Sequence, residues 1–158
     1  MLNVARHLAK PHGRGQRKQA LIRRSISTSY YAAFHGILQA VADMIVLQKN
    51  RRLGLYETVY RRVQHRSLRD VCKALQQSNS PVWAEWGEPP DPSLVGIASN
   101  LLYLHQAREV ADYGRPESAY SWADADRHAT FAEELLGTLT VLNDDLRRKF
   151  LVAVLIAK

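Results

Sequence analysis

Three things are scarce in this 158-residue chain: cysteine, long apolar runs and, in its first half, acidic side chains. A single cysteine, Cys72, excludes an internal disulfide framework and a thiolate-rich zinc site. It also makes the cytoplasm the expected compartment. The longest apolar run, Phe150 to Ala157, is eight residues. That is too short to cross a bilayer as a helix, so no membrane association is expected. Met1 to Lys10 lacks the apolar centre of a secretory signal. There is no P-loop, no Gly-x-Gly-x-x-Gly, no His-Glu-x-x-His and no Gly-x-Ser-x-Gly. Neither a cofactor nor a bound metal is expected. What is present suffices for one globular domain: 46% of residues are hydrophobic and 23% charged.

The net charge of +7 is unevenly spread. Residues 1–73 hold 15 Lys/Arg against 3 Asp/Glu, whereas residues 74–158 hold 7 against 12. A basic half suits a polyanion, with nucleic acid the first candidate. The alternatives are attraction between the halves, or between two copies, and a plainly solvated surface. Arg24, Arg51, Arg52, Arg61 and Arg62 are the candidate RNA contacts. Arg66 and Arg69 extend the same basic surface.

Apolar periodicity near 100° per residue predicts an all-α domain spanning residues 1–158. Its expected form is an antiparallel bundle of four main helices with short additions. Residues 1–15 read as a short amphipathic segment running into a basic arm, broken by Pro11, Gly13 and Gly15. The longest helix is expected over about 16–48, with Ile22, Ile26, Tyr30, Ala33, Ile37, Val41 and Met44 on one face. Ser25, Ser29, Gly36 and Ala40 beside that face would let another helix come close. A second helix is expected over about 55–65, and a third capped by Ser67 and Asp70 and running to Leu75. Residues 78–92, with four of the six prolines, read as a loop pinned by Trp83 and Trp86. Asp91 and Pro92 open the next helix, and Gly114 is expected to close it in a left-handed cap. One last helix is expected from Ser118 or Ser121 towards Lys158. Its apolar end, residues 150–157, should be buried within the chain or against a second copy.

Two polar constellations stand out. Arg24, Thr28, Tyr31 and His35 share one side of the long helix. Leu101, His105, Arg108 and Asp112 share a face of the 92–113 helix, where Arg108 and Asp112 are four apart and can pair. Both sets also read as ordinary packing or surface residues. In a cleft, Arg108 would hold a phosphate while an imidazole moves a proton.

The run Ser25-Ile26-Ser27-Thr28-Ser29-Tyr30-Tyr31-Ala32-Ala33-Phe34-His35 resembles the Ser-x-x-Tyr-Tyr-Ala-x-Phe-His signature of HEPN-domain proteins. Arg108-Glu109-Val110-Ala111-Asp112-Tyr113 is similar to the Arg-x-x-x-Asp-Tyr element that follows in many bacterial members. The resemblance implies a helical bundle that pairs as a homodimer and acts on RNA. Many such proteins are toxins or defence effectors encoded beside a nucleotidyltransferase antitoxin. Active members cleave RNA without metal, through an Arg followed four to six residues later by His, and others are binding modules for RNA, a nucleotide or a partner. In this chain Arg108 matches that arginine, but Tyr113 stands where the histidine would be. The resemblance therefore implies Arg108, Asp112 and Tyr113 as site residues, with His35 or His105 as the imidazole. Tyr113 is also similar in position to a tyrosine that a partner nucleotidyltransferase modifies in some related toxins.

Overall fold

The computed structural model describes residues 1–10, 15–115 and 120–157, and among these every regular element is helical. In chain order the helices are α1 (Leu2–Leu8), α2 (Gly15–Val46), α3 (Gly54–Tyr60), α4 (His65–Leu75), α5 (Pro81–Trp86), α6 (Pro92–Tyr113), α7 (Trp122–Val141) and α8 (Asp144–Ile156). A 3-10 turn, Gln48–Asn50, follows α2. Residues 11–14 of the expected basic arm, and Ser118 as a helix start, lie outside the described residues. No described helix is long and apolar enough to cross a membrane.

The chain falls into two compact units. The first comprises Met1–Ala33 and Asn100–Leu135, the second Phe34–Ser99 and Leu136–Lys158. In the first, Ile22 and Ile26 of α2 pack with Ala9, Ala107, Ala111 and Ala125, flanked by Tyr120 and Trp122. Small residues on the partner helices leave room for the two isoleucines. Buried Ser25 donates to the Ala5 carbonyl at 2.8 Å, so a polar side chain ties α1 down instead of stranding a donor. Arg6 of α1 pairs with Glu133 and Asp126 of α7.

In the second unit Ala42, Val46 and Tyr56 form an apolar cluster with Val59 and Tyr60. Gly36 has a steric role here. A Cβ at that position would collide with the Leu136 side chain, so glycine lets this part of α7 press on α2. Ser67 donates to the Ala157 carbonyl at 3.1 Å, linking α4 to α8.

Several ends differ from expectation for local reasons. α2 stops at Val46 because Leu47 adopts φ 65°, ψ 144°. A leucine there costs about 1–3 kcal/mol of backbone strain. Asn50 eases the exit by donating its amide to the Val46 carbonyl at 2.9 Å. α4 begins at His65, not at Ser67, whose hydroxyl is buried against α8 and does no capping. Residues 78–92 are not all loop: Ser80 caps α5, Pro81 fills its first turn and Gly87 ends it at φ 66°. Within it Trp83 is buried, as expected of an anchor, and meets Trp86 edge to face.

The Asp91 cap of α6 is present, with its carboxylate accepting from the Leu94 N–H at 2.9 Å. Gly114 does not turn left-handed; its N–H continues to the Val110 carbonyl. Ser121 and Asp124 open α7 reciprocally, each side chain accepting from the other residue's N–H. The expected single last helix is two. Asn143 accepts from the N–H groups of Asp145 and Leu146, and Asp144 and Asp145 complement the positive helix start. In α8, Phe150, Leu151 and Val154 are buried while Val152 and Ile156 are exposed, so this apolar end is covered on one face only.

Candidate functional site

In the first unit, helical spacing sets Arg108 and Asp112 one turn apart on α6, and α2 brings up Tyr31 and Ser27. The Arg108 Nη2 donates to the Tyr31 hydroxyl oxygen at 2.8 Å and reaches the Tyr113 oxygen at 3.5 Å. Its Nε lies 2.8 Å from an Asp112 carboxylate oxygen. That N–H does not aim along the line to the oxygen, so the pair is held by charge more than by a straight hydrogen bond. Ser27 donates to the same carboxylate oxygen at 3.2 Å. The guanidinium also sits 5.5 Å from the Tyr31 ring centre and 5.2 Å from that of Tyr113, within cation–π range. Burial opposes its charge, but the Tyr31 oxygen and the nearby Asp112 outweigh that and hold it above the ordinary arginine value. Nη1 has no partner among the described residues. Tyr113 is 76% exposed, so its ring edges the cluster towards solvent.

His105, one turn before Arg108, lies largely covered. Its Nδ1 is 3.7 Å from a Glu109 oxygen, and its ring meets Tyr30 edge-on. The end of α6 that carries these groups has no basic residue of its own in the last turn. Arg23 of α2 supplies one. It donates to the carbonyls of Ala111 (2.8 Å), Val110 (2.9 Å) and Gly114 (2.6 Å). The Ala111 carbonyl is one that a helix end leaves without an intrahelical donor, whereas the Val110 carbonyl also accepts from the Gly114 N–H. Nothing local in the sequence marks Arg23 for this role, because its acceptors lie 87 to 91 residues away.

In the second unit His35 finds a different partner. Its Nδ1 is 2.6 Å from the Tyr60 hydroxyl, with the two rings nearly parallel. Burial lowers the imidazole's pKa, and burial followed by the Glu57 charge raises that of the phenol. Both groups are therefore neutral near pH 7. His65 stacks on Phe34 at 3.8 Å. Spacing alone does not mark Tyr60 or His65, since the first falls on an apolar stripe and the second at the end of the expected 55–65 helix.

The five candidate RNA contacts divide. Arg51 is held by Asp43, its Nε donating at 2.9 Å, and Tyr56 donates to the same carboxylate at 3.1 Å. The Arg51 hydrogen bond holds the Asp43 carboxyl below its usual range. Arg61 pairs with Glu57 on the surface of α3 at 2.6 Å. Arg24, Arg52 and Arg62 are exposed, and no described side chain pairs with them. No group of three or more potential metal ligands occurs among the described residues.

No family model, curated protein or solved structure matches this chain.

Proposed function

We propose that the chain is a HEPN-like module of the toxin or defence type that binds RNA, with Arg108 as its phosphate anchor. The observation that carries this is the clamped guanidinium: Asp112 and Tyr31 occupy its Nε and Nη2, and Nη1 remains for a ligand. An arginine fixed before the phosphate arrives loses little side-chain freedom on binding. The exposed Tyr113 ring beside it offers a face on which a base can stack. Arg24, Arg52 and Arg62 would add sequence-independent attraction to the backbone. The reading includes a four-helix HEPN arrangement, a cytoplasmic homodimer and, as partner, a nucleotidyltransferase antitoxin.

A second reading, metal-independent RNA cleavage, rests on His105. An imidazole one turn from a fixed guanidinium has the makings of a base beside a cation that steadies the phosphorane. The first reading is favoured because Tyr113, a phenol, stands at the family's histidine position, where cleavage calls for an imidazole.

One experiment separates them: incubate the protein with single-stranded RNA in EDTA and follow binding and product together. The binding module gives salt-sensitive retention without product, weakened at least about tenfold by Arg108→Ala. Cleavage abolished by both Arg108→Ala and His105→Ala establishes the second reading instead. Neither retention nor product overturns both.

A further inference from the structure

We propose that a groove in the second unit binds the carboxylate of an aliphatic chain, with Arg148 as the counter-ion. The groove measures about 660 Å³, within the range of small-molecule sites. Leu136, Leu139 and Leu151 line it, and the α2 wall is shallow where Gly36 and Ala40 stand. No described aromatic residue lines it, so its apolar part suits a hydrocarbon chain better than a stacked ring.

Charge selects the head group. Arg51 and Arg147 also border the groove, but each already holds a carboxylate, Asp43 and Asp144. Arg147 further donates to the Thr140 carbonyl at 3.1 Å. Arg148 is exposed and has no partner among the described residues. One uncompensated guanidinium in a groove that also exposes three leucines fits a monoanion with a hydrocarbon chain, and its fork matches the two oxygens of a carboxylate. A phosphate dianion would leave one charge unmet.

The rim adds an independent observation. Leu47 borders the groove, is half exposed, and is held at the φ of 65° that favours glycine. An apolar side chain kept in a strained conformation at the mouth of a groove of mixed aliphatic and polar lining is the kind of local cost associated with ligand clamps. The proposal stands apart from the RNA reading, which rests on Arg108 in the first unit.

The test is titration of the full-length protein with decanoate, read by calorimetry and by backbone amide shifts. Saturable binding is expected, with shifts concentrated at Leu47, Gln48, Leu136 and Arg148. Decanol, lacking the charge, and acetate, lacking the chain, should each bind at least about tenfold more weakly. Arg148→Ala should cost a similar factor, and Arg148→Lys should recover part of it. Leu47→Gly should raise the melting temperature by relieving the backbone yet weaken decanoate, a split that a purely structural role would not produce. Four results overturn the proposal: no saturable binding, decanol equal to decanoate, an unchanged affinity in Arg148→Ala, or shifts confined to Val152 and Ile156 on the exposed side of α8.

Discussion

The best-held arginines of the first unit contrast with the exposed ones of the second. In the first, Arg23 closes the end of α6 through four backbone carbonyls, those of Val110, Ala111, Gly114 and Arg115, and Arg108 is boxed in by a carboxylate and two phenols. In the second, Arg52 and Arg62 project with no described partner, while Arg51 and Arg61 each hold one carboxylate. The same formal charge is structural in one place and available in another. Net charge over a stretch of sequence therefore overstates the surface left for a polyanion, since an arginine already saturated by carbonyls or carboxylates has fewer donors to offer.

The sharpest way to test the contrast is to remove Arg23. Arg23→Ala should lower stability by about 3 kcal/mol, because a charged donor set is lost and the part-buried Ala111 and Gly114 carbonyls are left without it. Urea unfolding measures the total, and hydrogen exchange should show the loss concentrated in the last turn of α6. A change below about 0.5 kcal/mol would mean that water replaces the guanidinium freely, and the structural role assigned to it would fall.

A pH titration probes the first unit from another side. His128 is 2% exposed and stacks on Tyr103, with Tyr120 edge-on, and its Nδ1 lies 2.5 Å from the Asp124 carbonyl. Burial lowers its pKa below the free-imidazole value, despite the opposing pull of that carbonyl and the Asp124 charge. The unfolded chain then binds the proton more readily than the folded one. Its contribution to stability is present above about pH 6.5 and is lost as pH falls below that value. Melting temperatures at pH 5 and pH 7 should differ in that direction, and His128→Gln should flatten the slope. An unaltered slope in the variant would assign the acid sensitivity elsewhere.

The smallest effects concern the exposed arginines of the second unit. Arg52→Glu with Arg62→Glu should weaken RNA binding and reduce the log–log salt slope by about one for each phosphate no longer neutralised. Arg61→Ala should change the slope less, and should shift stability by only a few tenths of a kcal/mol, as expected for an exposed pair four residues apart. Fluorescence anisotropy across a salt series checks both. Equal effects from the paired and unpaired arginines would erase the distinction drawn between them.

Local chemistry made much of this legible beforehand. The apolar stripe of α2 is buried along its length from Ile22 to Val41, as its period requires. Asp91 and Pro92 open α6 as their types dictate, because a cap needs only its own next few N–H groups. The same logic operates at Ser80-Pro81 and at Asn143-Asp144-Asp145, where a proline-rich look and a continuous apolar stripe conceal two helix starts. Of the site, the Arg108–Asp112 pair follows from a spacing of four.

The sequence by itself settled the helical class, the buried stripe of α2, and which residue types were at hand for chemistry. Only the tertiary structure decided which of those charges were already taken. Tyr31 reaches Arg108 across 77 residues, His35 turns to Tyr60 across 25, and Arg23 closes a helix about 90 residues downstream. Helical periodicity fixes neighbours within a turn or two, whereas partners this distant are set by how helices pack, which no local pattern encodes.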